Sequence, residues 1–212
     1  MEEKSQIYEE ERLLKLEKIA LSCGNCDLCR GRKKLVFGEG SPTALIMFIG
    51  EGPGAEEDKT GRPFVGRSGK LLRQMISAID ISEEDKYIAN IVKCRPPDNR
   101  APLRSEIETC RKYLRKQIDI IRPRLLVLLG KTAVKGMCPN FAKESVEKLR
   151  SMSKSIGMVT FSGGSGDIPA LVTYHPSALL RTAWRKVGAK EDFTFLKEKY
   201  RELVLEIADQ TF

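Results

Sequence analysis

The chain has 212 residues, 41% of them hydrophobic and 31% charged, a globular mix with enough length for one good core. No apolar run approaches a membrane span and the N-terminus shows no signal-peptide apolar region, so a cytoplasmic protein that makes no use of a membrane is expected. The net charge of +8 favours an anionic partner, nucleic acid before others.

MEEKSQIYEEERLLKLEKIA, residues 1–20, places apolar residues at helical spacing among charges and predicts a surface helix. A cysteine-rich basic turn follows, SCGNCDLCRGRKK. Ala44 to Ile49 reads as a buried strand. Behind it comes GEGPGAEEDKTGRPFVG (50–66), with five glycines, two prolines, four acidic residues and one aromatic, Phe64. The glycines suit a phosphate cradle, but the acids crowd the place a phosphate would take. GKLLRQMISAID, from Gly69, predicts a helix, and Tyr87 to Lys93 a second strand. CRPPDNRAP is irregular, because Pro96, Pro97 and Pro102 fix φ and remove donors. SEIETCRKYLRKQIDII predicts a helix with Ser105 as N-cap, RLLVLLG (124–130) a strand buried on both faces, and Lys131 the start of another helix. FSGGSGDIP reads as a hairpin or loop, PALVTYHP as a last strand ending in HPSALLR, and residues 190–208 as an amphipathic helix. Strands alternating with helices predict a three-layer α/β/α sandwich around a mostly parallel four-stranded sheet, with residues 1–212 as a single domain. Ligand sites in such folds lie at the C-terminal ends of the strands, where GEGPG, NIVKC and HPSALLR all fall.

Six cysteines without an export signal argue against a disulfide framework and for a metal site or core thiols. Cys23 and Cys26 form a C-x-x-C pair, which Cys94 and Cys110 complete to four thiolates if the proline loop folds back. Four thiolates suit zinc or an iron–sulfur cluster, and the wide second pair tilts the reading towards the cluster. Cys29 is ambiguous, and Cys138 reads as an ordinary core thiol.

With GEGPG–EED–GRPFVG, NIVKCRPP, the C-x-x-C pair and HPSALLR in view, the chain resembles the family 4 uracil-DNA glycosylases, the [4Fe-4S] branch of their superfamily. The resemblance runs from about Cys23 to Arg181 and is weaker between residues 135 and 167. It implies Cys23, Cys26, Cys94 and Cys110 as cluster ligands. It also implies a monomeric enzyme that flips uracil out of single- or double-stranded DNA and hydrolyses its N-glycosidic bond. The alternative is a catalytically weak iron–sulfur DNA-binding protein of the same superfamily.

The resemblance also distributes roles. Asn90 would read uracil, its amide donating to O4 and accepting from N3–H. Phe64 would stack on the base, and His175, the only histidine, would donate to the charge developing on O2. Relatives in other branches keep a carboxylate or amide where this chain has Gly52, so water positioning is expected to fall to Glu57. Glu51 and Asp58 would hold the loop, while Gly52 and Gly54 would let backbone approach the base. Leu179 or Leu180 would fill the gap left by the flipped base. Ser177 and Arg181 would hold flanking phosphates, with Lys93, Arg95 and Arg100 adding positive charge at the same edge.

Overall fold

The computed structural model describes residues 2–154, 160–163 and 166–210. A long helix α1 (Glu2–Leu21) and a short α2 (Leu28–Gly31) precede the sheet. Then follow β1 (Glu39–Gly40), β2 (Ile46–Gly50), α3 (Ala55–Thr60), α4 (Arg67–Ser77) and β3 (Lys86–Asn90). The chain continues through α5 (Arg104–Ile121), β4 (Leu125–Leu129), α6 (Lys131–Met137) and α7 (Val146–Lys154). It finishes with β5 (Thr160–Gly163), β6 (Gly166–Thr173), α8 (Pro176–Arg181) and α9 (Arg185–Gln210).

The strands form one sheet in the order β1-β3-β2-β4-β6-β5. The four inner strands are parallel, as the sequence predicts, and β1 and β5 add antiparallel edges. The β1 edge was not legible, because it has only two residues and no alternating pattern. FSGGSGDIP proves to be the β5–β6 hairpin, its tip and residues 155–159 lying outside the described residues.

Period-2 alternation divides each inner strand between two cores. Met47, Ile49, Leu126 and Leu128 face α1 and α5, where Leu114, Ile118 and Ile121 recur at helical spacing. Ile46, Phe48, Val127 and Leu129 face α4 and α9, against Leu72, Ile76, Phe193 and Leu196. All five residues of β2 and of β4 are buried, which accounts for their unbroken apolar runs.

Some boundaries move. Ser105 is not the cap of α5. Leu103 takes the N-cap position, and the Glu106 carboxylate reaches back to accept its N–H at 2.6 Å. The last helix starts at Arg185 rather than 190. The glycine stretch contains a helix, α3, that its glycine content concealed. Among the described residues no helix is long and apolar enough to cross a membrane.

From β2 the chain passes to β3 on one side, then crosses to β4 on the other. This reversal of strand order opens a crevice at the C-terminal ends of β2, β3 and β4. The ladder runs on past the strands, Ile91 N–H donating to the Gly50 carbonyl at 2.9 Å and Val92 N–H to the Glu51 carbonyl at 3.2 Å. The loop after β2 and the loop after β3 are therefore fixed side by side.

Candidate active site

The glycine loop is braced by two charged side chains. Glu57, on α3 and only 8% exposed, accepts from Val65 N–H (2.9 Å) and Gly66 N–H (2.7 Å) through Oε1 and from Gly54 N–H (3.1 Å) through Oε2. Arg73, on α4, donates to the carbonyls of Phe64 and Pro63, both at 3.1 Å. Between these clamps Phe64 adopts a positive φ of 52°, an unfavourable region for an aromatic residue that persists only where its surroundings enforce it. The loop sits in this bend to aim one ring. Glu51 accepts a hydrogen bond from the Thr132 hydroxyl, and Asp58 accepts from Lys33 N–H at 2.9 Å, so both hold the loop as expected.

Gly50 is paired in register with Asn90. A Cβ at Gly50 would lie 2.4 Å from Phe64 Cζ and 2.5 Å from Asn90 Oδ1. The missing side chain is what lets the ring and the amide meet at the mouth of the sheet. Asn90 is 2% exposed and its Oδ1 has no hydrogen-bond partner among the described residues. A buried acceptor left unpaired costs about 1–3 kcal/mol, which a ligand N–H can recover. At Gly52 and Gly54 the collisions a side chain would cause are internal, with Val92 Cγ2 at 2.7 Å and Glu57 Oε2 at 2.8 Å.

His175 stands across from Phe64, ring centroids 6.1 Å apart. Its side chain caps α8: Nδ1 accepts from Ser177 N–H at 3.2 Å and lies 2.8 Å from Ser177 Oγ. An acceptor at Nδ1 puts the ring proton of the neutral imidazole on Nε2. Burial, assisted by the Arg181 charge and opposed by Glu57, pushes the His175 pKa down to about 4. The ring is thus neutral at physiological pH, with one defined donor.

These groups line a single cavity of about 450 Å³, together with Glu51, Gly52, Gly54, Ser177, Arg181 and Arg100. Two expectations need correction. Leu179 is 2% exposed and packs with Tyr174 and Ala189, whereas Leu180, 45% exposed, is the leucine at the surface. Lys93 is 1% exposed; its Nζ donates to Gln117 Oε1 at 2.6 Å beneath the Phe37 ring, and burial lowers its pKa to about 7, so it cannot reach a phosphate. Arg100 is held by Glu106 through bonds of 2.9 and 2.6 Å, and Arg95 by Asn99 at 2.9 Å. Ser177, through its contact with Nδ1, orients His175.

The α1–α2 turn brings Cys23 and Cys26 against the core beside Cys94 and Cys110. Burial raises the Cys94 and Cys110 thiols, Cys110 to about 11, and both lie within electrostatic reach of Cys26. Three sulfurs accept N–H bonds: Cys94 from Arg32 Nη1 (3.2 Å), Cys110 from Lys93 N–H (3.3 Å) and Cys23 from Asn25 Nδ2 (3.3 Å). Cys29 is half-buried next to Cys26, and Cys138 lies buried in the core at the end of α6. Among the described residues no three Cys, His, Asp or Glu side chains are gathered for a single ion.

Residues 37–203 match the family model of the uracil DNA glycosylase superfamily. The chain is 43% identical over 198 residues to a type-4 uracil-DNA glycosylase of Sulfurisphaera tokodaii, covering 91% of this chain and 85% of that protein. It is 44% identical over 177 residues to the type-4 enzyme of Thermotoga maritima, with 82% and 87% covered. The chain belongs to the type-4 branch of the uracil-DNA glycosylase superfamily. A type-5 uracil-DNA glycosylase of Pyrobaculum aerophilum is more distant, 29% identical over 161 residues, or 66% of this chain and 64% of that one.

Within this family member, the residues that sequence reasoning passed over are supporting ones. Gly50 counted only as the start of a glycine run, although its pairing with Asn90 leaves the gap in which the Phe64 ring and the Asn90 amide approach. Arg73 and Thr132 lie within helices and carry no motif that would assign them a role. Each acts across more than 60 residues of sequence or through a backbone carbonyl, where no local motif signals it.

Proposed function

We propose that the protein is a monofunctional uracil-DNA glycosylase that hydrolyses the N-glycosidic bond of deoxyuridine in single- or double-stranded DNA, acting as a monomer in a prokaryotic cytoplasm. The observation that carries the reading is the buried, unpartnered Asn90 Oδ1 in one cavity with the Phe64 ring and a neutral His175. A base must leave the stack to enter such a cavity. Asn90 Oδ1 then accepts from uracil N3–H while its Nδ2 donates to O4, a pairing that cytosine, with an acceptor at N3 and an amine at position 4, reverses. Phe64 stacks on the base. His175 Nε2–H donates to O2 as the glycosidic electrons move into the ring, a preorganised donor of the kind worth about 3–4 kcal/mol.

Water attacks the sugar carbon as the bond to N1 breaks, giving an abasic site and free uracil. Glu57 carries only one bond on Oε2, which leaves that oxygen a lone pair for the water, and its negative charge faces the developing sugar cation. Its three backbone bonds make it first a positioning residue for Phe64. Leu180 is the wedge, and Arg181 at the cavity mouth is the phosphate contact.

We further propose that Cys23, Cys26, Cys94 and Cys110 hold a [4Fe-4S] cluster. The C-x-x-C turn packed on the core beside Cys94 and Cys110, the wide spacing of that second pair and N–H donors on three of the four sulfurs support the cluster over zinc. Its chemistry when bound is that of a thiolate-ligated cross-link. Brown colour with visible absorption, against a colourless zinc-replete protein, decides this.

Treating a uracil-containing oligonucleotide with the protein, then alkali, should cleave it at the uracil. Intact strands at enzyme excess would refute the activity and leave the weak DNA-binding reading, which Gly52 in place of a carboxylate favours.

A further inference from the structure

The loop joining α8 to α9 carries the only tryptophan of the chain, Trp184. Its side chain is 61% exposed, more than any exposed aromatic near the cavity, and it follows the exposed Leu180 by one turn of chain. An exposed indole offers a large apolar face with a polar edge, the kind of side chain enriched where a partner docks.

The ring is nevertheless fixed. It meets Tyr174 edge-on, centroids 6.1 Å apart at 85°. The Arg185 guanidinium lies over both rings, 5.3 Å from the Trp184 centroid and 5.4 Å from that of Tyr174. Tyr174 is pinned in turn by Arg150, 4.5 Å over its ring and locked to Asp192 at 2.6 and 2.9 Å. Arg185 Nε is buried without a hydrogen-bond partner among the described residues. The same guanidinium lines a second cavity of about 280 Å³ that shares His175 and Ala178 with the main one. An exposed ring thus rests on Tyr174 and Arg185, both of which line that second cavity, and lies between Arg181 and Lys186 in the chain.

We propose that Trp184 is a stacking platform for a nucleobase of the DNA strand next to the flipped nucleotide, with Arg185 taking the adjoining phosphate. This inference rests on the DNA-acting role proposed above. Aromatic stacking tolerates any base, and its cost of about 1–3 kcal/mol per base on removal corresponds to an affinity loss of order tenfold. The ring orders the strand outside the chemistry, so its loss should raise KM and leave kcat unchanged.

Because Trp184 is unique, its fluorescence reports on the subsite without any variant. Adding uracil-free oligothymidylate to the intact protein should quench the indole emission, in step with the anisotropy of a labelled oligonucleotide. Trp184→Ala should weaken binding about tenfold, Trp184→Phe should restore most of it, and Arg185→Gln should reduce the salt slope of binding by about one. DNA binding with unchanged emission, or Trp184→Ala binding as tightly as wild type, overturns the platform and leaves the ring as a protein contact. Quenching without uracil excision sinks the glycosylase reading while this inference stands, and no DNA binding at all sinks both.

Discussion

Replacing Glu57 with glutamine separates two roles that one carboxylate can play. As a loop brace it accepts two backbone N–H bonds on Oε1 and one on Oε2. A glutamine with its oxygen towards Val65 and Gly66 turns its NH2 against Gly54 N–H, donor facing donor. One charge-assisted bond is lost and two are reduced to neutral strength, which comes to about 2.5–7 kcal/mol with charged bonds at about 1.5–3 and neutral ones near 1. For a protein of this size, thermal unfolding should fall by at least about 5 °C at about 2–4 °C per kcal/mol. The Phe64 bend is no longer enforced, so KM for uracil-DNA should rise together with the fall in kcat. Calorimetry with a steady-state glycosylase assay measures both. A Glu57→Gln protein that unfolds at the wild-type temperature, with kcat alone reduced, would refute the brace and make Glu57 purely a group that acts on the water.

The depressed pKa of His175 has a stability consequence. The unfolded chain takes a proton on this ring near the ordinary value of 6.5 and the folded protein only at about 4, so its contribution is complete above pH 6.5 and is lost as pH falls through that window, by at most about 3 kcal/mol. Denaturant unfolding of His175→Gln should show a flatter profile between pH 6.5 and 4, and a wild-type profile no steeper than the variant's would contradict the neutral ring. Removing this donor should also lower kcat about 10²–10³-fold. Asn90→Asp presents two acceptors to the base edge and should cut the preference for uracil over cytosine, measured as alkali-labile sites in matched oligonucleotides; unchanged selectivity means that Asn90 is not the reader. At Gly52 an added Cβ meets Val92 Cγ2 at 2.7 Å, so Gly52→Ala should lower the melting temperature and Val92→Ala in the same chain should recover part of it; purely additive losses would show that the two sites are not in contact.

Much of the site was legible because its motifs stand at strand ends. GEGPG, the asparagine after YIA and HPSALLR are short, and the parallel α/β pattern alone brings their positions to one edge. Asn90, Phe64 and His175 do line one cavity. What could not be read were side-chain directions and long-range partners. Leu179 and Leu180 differ by one residue, about 100° around a helix, and only the packing of α8 against Tyr174 and Ala189 buries the first and exposes the second. Lys93, at the end of the second predicted strand and next to a thiol, read as positive charge at the DNA-facing edge. The extension of the β3 ladder beside the glycine loop turns it into the core, where Gln117, 24 residues on, supplies an acceptor.

The sequence by itself determined the order of the four inner strands and the longer helices, and which residue types could do the chemistry, since hydrophobic period and turn residues are local properties. Only the tertiary structure decided how those residues are held: Glu57 as a brace across three backbone amides, His175 with its proton on Nε2, Gly50 as the gap where ring and amide meet. The Gly50 gap joins segments far apart in the chain, while Glu57 and His175 use partners two to nine residues away whose hydrogen-bond geometry only the folded backbone sets.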